Sequence, residues 1–554
     1  AANAAKSERA YTVVVGNPPY SVKSFNMGKW ITELCEPYKA TVRHEESQIQ
    51  ALSNDYIKFL RLAEVAINSS EYGILGMITG HGYMLGTQPR DLRNSLCQSF
   101  SDIVTINLNG SVRRDGVEGP DEPVFEIMTG VGIGLFCRSS KSTSTIAAYE
   151  SWEGTFDSKM ERLISNSGRI PVSEKSKPRK PNYHFWRGSD FEEEYQEAAE
   201  IPAFFGTGNR SKDKEIYWAT GYSSRHDGFA ISFAQSDVLQ KLDDLSRSGR
   251  FEEIDEVYGV CGTKHWNYDK AKIFSARDDL IGLIEPVYYR PFDTRFSILN
   301  ENVIAELRET VMNNFEDLEN IALISSRAVN DLTFQHILVS EKPVDKIFLS
   351  SKTSTNAYFF PLWLKHAEGK LTRRPNIHRH LAESFGQALN LTYEDGIPRG
   401  QQGSLGKDFI QPKAEQIGLL DMPWDGRGDL AKCFGPRDLF DYIYAVLHAP
   451  GYRSRYAEFL KSDFPRIPTP GSRALFADLV PLGRELVASH LLNPDEAAAL
   501  KTPEIRFAGT GEARVGKGYP EYTNGKVMIN ATRWFEDVPK ATWEFHVGGY
   551  QPCE

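Results

Sequence analysis

The chain has 554 residues, of which 40% are hydrophobic and 25% charged, and its formal net charge is −10. One hydrophobic core does not grow to that size, so roughly two to four domains of ordinary globular composition are expected. No apolar run has the length of a membrane span, and no secretory signal opens the chain. The cysteines (Cys35, Cys97, Cys137, Cys261, Cys433, Cys553) form no C-x-x-C pair and have no histidines at ligand spacing. That pattern points to a reducing cytoplasm and argues against a disulfide framework or a structural metal. The acidic total argues mildly against nucleic acid, but binding depends on where charges lie rather than on their sum.

In chain order, residues 11–15 (Y-T-V-V-V) are a β-branched run closed by Gly16 and a proline pair, which reads as a buried strand. Asn54 is placed to cap a helix carrying Tyr56, Phe59, Leu60, Ala63 and Ile67 on one face. Residues 72–79 form the next strand. Residues 89–100 form a helix with Leu92, Leu96 and Phe100 in register, and strands follow at 103–108 and 131–137. Such alternation predicts an α/β class, a partial Rossmann-like and mostly parallel sheet with helices on its faces.

The polar stretch 139–190, with S-E-K-S-K-P-R-K-P, reads as linker, and 236–283 as a helical spacer. Residues 284–365 look β-rich, with V-Y-Y-R-P-F and N-A-Y-F-F-P-L-W-L. Helices return at 436–491, with one apolar face at Leu439, Phe440, Ile443, Val446 and Leu447 and another at Leu475, Leu479, Leu482 and Leu486. The tail contains strand-like K-V-M-I-N and T-W-E-F-H-V. The expected domains are 1–140, catalytic; 141–284, linker and spacer; and 285–554, a mixed α+β recognition region.

Asn17-Pro18-Pro19-Tyr20 directly follows the first strand. The lone pair of a conjugated amino nitrogen is delocalised into its ring, so the nitrogen is a poor nucleophile. Acceptors on the Asn17 side chain and the Pro18 carbonyl would bind its two hydrogens and draw it towards tetrahedral geometry. The lone pair is then free for in-line attack on the sulfonium methyl group of S-adenosylmethionine. The prolines hold a carbonyl out of the sheet, and the catalysis is by placed dipoles, with no metal. Tyr20 offers a flat face to a base swung out of a duplex. Phe125 is a candidate second wall for that base, or else a core phenylalanine at a strand start.

F-A-G-T-G at 507–511 imitates a cofactor loop, but no helical periodicity follows, so it reads as coincidence. The basic clusters at 175–180 and at Arg373 and Arg374 read as solvated surface. Arg437, Arg453, Arg455, Lys461 and Arg466, on helices expected at the surface over 436–468, are candidate DNA contacts, phosphate-holding rather than base-reading.

Longer strings resemble Type ISP restriction-modification enzymes, single chains with nuclease, helicase, adenine methyltransferase and target-recognition parts. They are N-P-P-Y at 17–20, N-D-Y-I-K-F-L-R at 54–61, Y-Y-R-P-F-D-T-R at 288–295 and Y-F-F-P-L-W-L at 358–364. F-D-Y-I-Y-A-V-L-H-A-P-G-Y-R at 440–453, L-K-S-D-F-P-R-I-P at 460–468 and W-E-F-H-V-G-G-Y-Q at 543–551 complete the set. The resemblance implies that Asn17, Pro18, Pro19 and Tyr20 are the catalytic tetrapeptide and that Phe125 matches a second stacking aromatic. It also implies a specificity region from about residue 285, double-stranded DNA as partner, and a glycine-rich cofactor motif, nuclease and helicase before Ala1. Two alternatives stay open: a methyltransferase for RNA or protein glutamine, and a DNA-binding module without catalysis.

Overall fold

The computed structural model describes residues 11–20, 24–45, 49–110, 121–125, 130–142, 144–165, 175–186, 191–206, 217–260, 262, 266–315, 319–329, 333–350, 355–365, 373–395, 425–493 and 504–553. The chain forms two compact units. The first comprises Ala1–Glu197, Ala328–Thr333 and Tyr456–Asp463; the second comprises Ala198–Arg327, Phe334–Arg455 and Phe464–Glu554.

The first unit is built on a six-stranded sheet. Its strands are β1 (Val13–Gly16), β2 (Tyr72–Gly80), β3 (Asp102–Asn107), β4 (Val131–Ser139), β5 (Ile146–Ser151) and β6 (Lys175–Ser176), in the spatial order β1-β2-β4-β3-β5-β6. β1 runs parallel to β2 and β3 parallel to β5, whereas β4 is antiparallel to both β2 and β3, and β6 to β5. The sheet is therefore mixed rather than mostly parallel. Antiparallel β4 separates β2 from β3, a pairing that hydrophobic runs alone do not reveal. The stretch 139–190, which composition reads as linker, carries β5, a helix at Phe156–Ser165 and β6, so the sheet continues past residue 140.

Among the described residues β1 pairs with β2 alone, so Val13 stays 58% and Val15 78% exposed, while Val14 packs on the core. Helix α1 (Asp55–Asn68) starts as expected, with the Tyr56 N–H donating to the Asn54 side chain. Tyr56, Leu60, Ala63 and Ile67 are buried, but Phe59 is exposed and Ile57 is buried in its place. The buried stripe is rotated to include Glu64, whose carboxylate accepts from Tyr38 (2.7 Å), Arg61 (2.6 Å), Ser95 (2.8 Å) and Ser99 (2.7 Å). Helix α2 (Arg90–Ser99) buries Leu92 and Leu96, with Phe100 closing it.

In the second unit, helices α3 (Gln235–Arg247), α4 (Phe251–Tyr258) and α5 (Tyr268–Ser275) realise the expected spacer. They share a core with the antiparallel hairpin of β7 (Ile284–Arg290) and β8 (Asp293–Ile298). A largely buried sheet follows, with β9 (Ala322–Ser325) between β10 (Ile337–Ser340) and β11 (Tyr358–Pro361). Helix α6 (Pro436–His448) buries its expected apolar face, but Asp438, Asp441, Tyr442 and Tyr444 are buried as well, so it is a core helix rather than a surface one.

Helix α7 (Arg473–His490) buries Phe476, Val480, Gly483 and Val487 and leaves Leu475 and Leu482 exposed, the reverse of the face its leucines suggest. The reason is Gly483. An added Cβ there would lie 1.9 Å from the Asp441 carbonyl oxygen, so the two helices touch backbone to backbone along the small residue. Near the C-terminus, β12 (Arg506–Gly509), β13 (Glu521–Thr523), β14 (Lys526–Met528) and β15 (Arg533–Glu536) form a small antiparallel sheet. T-W-E-F-H-V holds the end of a short helix, Lys540–Trp543, instead of a strand.

Candidate functional site

Strands β1, β2, β3 and β5 all point the same way, since β4 is the antiparallel partner of both β2 and β3. Their carboxyl ends therefore share one edge of the sheet, where open α/β folds gather their ligand-binding residues. That edge carries Asn17–Tyr20 after β1, His81 after β2, Asn107 and Asn109 at the end of β3, and Trp152 after β5.

Asn17 is exposed, Pro18 buried and Tyr20 half-buried. The Tyr20 hydroxyl lies 3.0 Å from Asn17 Oδ1 and 3.1 Å from the Ile78 carbonyl oxygen, so its one proton ties the tetrapeptide to β2. Burial pushes the Tyr20 hydroxyl up to about 12, which keeps it a neutral donor. The Tyr20 ring centroid is 6.3 Å from that of Tyr56, in turn 6.5 Å from Tyr83, an aromatic row beneath the strand ends. Gly80 makes room for the row: a Cβ there would lie 2.9 Å from the Tyr56 ring.

Phe125 and Tyr20 pack on the same small cluster of Ile106, Leu108, Val131 and Trp152. The segment before Phe125 is anchored by a buried ion pair, Lys159 Nζ to Asp121 Oδ1 at 2.6 Å. Lys159 also donates to the Glu122 carbonyl (2.7 Å), and Asp121 accepts from the Gly110 N–H (2.8 Å).

Sequence reasoning missed the polar group beside this cluster. Asn107 Oδ1 accepts from the Asn109 N–H at 3.0 Å, so the His81 Nδ1 that lies 2.7 Å from it carries the hydrogen. Asn107 Nδ2 donates to Asn109 Oδ1 (2.9 Å), and Asn109 Nδ2 to Ser151 (2.9 Å) and the Trp152 carbonyl (3.0 Å). The available signal was positional: His81 lies two residues past the strand expected over 72–79, and the N-L-N-G run at 107–110 straddles the end of the one expected over 103–108.

The cations proposed from sequence are divided between the two units. Lys461 belongs to the first unit and the other four to the second. Arg437 pairs with buried Asp441 (3.5 Å), Lys461 with Glu458 (2.7 Å) and Arg466 with Glu200 (2.6 Å). Arg453 donates to the Leu447 carbonyl at 2.6 Å, and burial lowers its guanidinium below the usual range. Arg455 is exposed. F-A-G-T-G forms the end of β12 and a turn rather than opening a helix. Among the described residues, no group of His, Cys, Asp and Glu could hold a metal, and no helix is long and apolar enough to cross a membrane.

Comparison with known proteins gives two family matches. Residues 2–112 match the Eco57I restriction-modification methylase, and residues 217–554 match the Type ISP C-terminal specificity domain. The second begins well before residue 285 and takes in the helical spacer. No curated protein matches the chain.

Among solved structures the chain is similar to that of a DrdV–DNA complex, with a TM-score of 0.60 and 19% identity over 98% of this chain and 52% of that one. It is similar to the ATP-dependent Type ISP restriction-modification enzyme LlaBIII bound to DNA (TM-score 0.62, 18% identity, 99% of this chain and 34% of that one). It is also similar to a nuclease-deletion mutant of the Type ISP enzyme LlaGI with a DNA substrate mimic (TM-score 0.62, 18% identity, 98% of this chain and 47% of that one). This chain spans about half or less of the length of these proteins, and at such identities the likeness is one of fold. The specificity-domain match covers more than half of the sequence, and the chain belongs to the Type ISP C-terminal specificity domain family.

Proposed function

We propose that this chain is the methyltransferase and target-recognition part of a site-specific DNA adenine N6-methyltransferase in a restriction-modification system, a defence against phage. The carrying observation is the exposed Asn17 carboxamide, held by Tyr20 at the carboxyl end of β1. The methylase match over residues 2–112 supports it, as does the specificity-domain match over 217–554. A domain dedicated to specificity also favours DNA over RNA or protein glutamine as acceptor. In this reading, residues of the first unit take up the adenine and those from about 217 onward read the surrounding sequence, since a pocket for one flipped base sees one nucleotide.

Asn17 Oδ1 and the Pro18 carbonyl accept the two amino hydrogens of the adenine and localise the lone pair on its nitrogen. Asn17 Oδ1 has two lone pairs, so it takes an amino hydrogen while still engaged by Tyr20. Tyr20 and Phe125 enclose the base on the shared apolar cluster. S-adenosylmethionine supplies the electrophilic methyl group. The residues of this edge fit the acceptor side of the transfer, and the glycine run at 507–511 is not a cofactor loop. Nuclease and helicase parts, in the same or an associated polypeptide, and a cytoplasmic location complete the proposal. The LlaBIII enzyme, described as ATP-dependent, and the LlaGI enzyme, solved as a nuclease-deletion mutant, are similar in fold.

The test is methyl transfer from labelled cofactor to duplex DNA, RNA and protein acceptors, with wild type and Asn17→Ala. Loss of one placed acceptor is expected to cost about 3–4 kcal/mol of barrier on DNA, with sequence-specific DNA binding unchanged. Methylation within tenfold of wild type would remove Asn17 from the chemistry, and transfer to RNA or protein alone would overturn the DNA reading.

A further inference from the structure

The string Y-Y-R-P-F-D-T-R at 288–295 is left unused by methyl transfer. In the second unit two of its residues, Tyr289 and Arg295, line a cleft of about 340 Å³ together with Asp227, Phe233, Asp237 and Lys241 among others. Its construction follows from local structure. The segment between the short helix Asp227–Ala230 and α3 lies along β8, where Ser232 and Phe296 exchange backbone hydrogen bonds of 3.0 and 2.8 Å. Alternation along this extended segment buries Ser232, at 4% exposure, and turns Phe233 outward, at 73%.

Phe233 does not stand alone. The Arg295 guanidinium lies 3.5 Å from its ring centroid and 5.0 Å from that of Tyr289. Arg295 is held flat by paired contacts of 2.7 and 2.8 Å to Asp293. Tyr289 donates to Asp227 at 2.6 Å, and Ser224 bonds the other carboxylate oxygen of Asp227. The result is a fixed aromatic–guanidinium platform beside carboxylates.

We infer that this cleft binds an unpaired nucleobase carrying an exocyclic amino group, apart from the base held at Asn17–Tyr20. A flat ring stacks on the Phe233–Arg295 platform. The exposed Asp237 carboxylate meets its edge and accepts from the amino group of guanine, adenine or cytosine, whereas thymine offers only its single imide N–H. A phosphate is disfavoured, because Asp227 and Asp237 face the same space, Arg295 is committed to Asp293, and Lys241 donates to the Ile231 carbonyl at 3.0 Å. The cleft sits at the lower end of ordinary small-ligand site volumes, roughly 300–1,000 Å³, enough for one base. Its role in holding a base of bound DNA rests on the function proposed above, but its affinity for a base does not.

The experiment separates the two. Free deoxyguanosine, deoxyadenosine, deoxycytidine and thymidine are titrated separately against the full chain by saturation-transfer NMR, and duplex binding is measured in parallel by gel shift. Amino-bearing nucleosides are expected to bind and thymidine to bind roughly tenfold more weakly. Phe233→Ala, at an exposed position where folding is not at stake, should weaken nucleoside binding roughly tenfold. Nucleoside signals that are absent, independent of Phe233, or equal for thymidine overturn the cleft assignment, whatever the duplex result. Failure of duplex binding with Phe233-dependent nucleoside binding intact overturns the DNA function and leaves the cleft standing.

Discussion

The Tyr20 hydroxyl lies 3.0 Å from Asn17 Oδ1, so the proposed base-stacking residue also holds the proposed acceptor in place. The two roles separate by substitution. Tyr20→Phe keeps the ring and removes the tether. It should slow methyl transfer by roughly fivefold, the equivalent of about 1 kcal/mol for one hydrogen bond, with the brightening of a 2-aminopurine at the target position retained. Tyr20→Ala should lose both rate and brightening, by about 1–3 kcal/mol if stacking dominates. Equal brightening from wild type and Tyr20→Ala would show that Tyr20 is not the stacking face.

The buried Lys159–Asp121 pair anchors the segment that presents Phe125. Lys159→Met leaves a buried carboxylate uncompensated and should cost about 3–5 kcal/mol. Adding Asp121→Asn should recover part of that loss, because the stranded charge is then gone. Denaturant unfolding of both variants checks the order; a single variant as stable as wild type contradicts the anchoring role.

Gly483→Ala tests the backbone contact between α6 and α7. A methyl group placed 1.9 Å from the Asp441 carbonyl oxygen forces the helices apart, at a cost of about 1–3 kcal/mol or more. Leu482→Ala, next in sequence but exposed, should change the denaturation midpoint little. The opposite ranking would mean that the leucine face is the packed one.

Arg453 and Arg455, two residues apart, should behave differently. Arg453 is held at the Leu447 carbonyl and Arg455 is exposed. Arg453→Ala is expected to lower stability and leave the salt dependence of DNA binding unchanged. Arg455→Ala should weaken binding to cognate and scrambled duplexes alike and flatten the salt slope by about one phosphate contact. Wild-type affinity and slope for Arg455→Ala would take this position out of the DNA interface.

His448 and His490 face each other in the second unit with ring centroids 5.3 Å apart, and Tyr444 bonds both. Burial, and then the Arg453 charge, holds His448 down at about 3 and His490 at about 4. With folded values below the unfolded 6.5, this stability is present above pH 6.5 and is lost as pH falls towards 4. Between pH 7 and 5 the loss is on the order of 2 kcal/mol for each ring. His448→Gln should flatten the fall in urea midpoint over that range, and an unchanged slope would show that the rings do not carry the acid sensitivity.

What the sequence determined by itself was local. The Asn54 cap, the strands over 72–79 and 131–137, and the Asn17-Pro18-Pro19-Tyr20 turn follow from side-chain chemistry and periodicity within a few residues. The longer strings carried the family as well, because residues 217–554 belong to it as a block. Tertiary structure decided what depends on neighbours far along the chain. Among the described residues β1 pairs with β2 alone, which leaves Val13 and Val15 exposed, and β4 turned the sheet mixed by returning between β2 and β3. The buried face of α7 was set by one glycine meeting a carbonyl on α6, against the lead of its leucines. His81, Asn107 and Asn109 are far apart in sequence or unremarkable in composition, and meet only because codirectional strands end on one edge. Charge was decided last: Arg437, Lys461 and Arg466 read as free cations in sequence and are paired in the fold, since a nearby carboxylate is visible only once the chain has closed on itself.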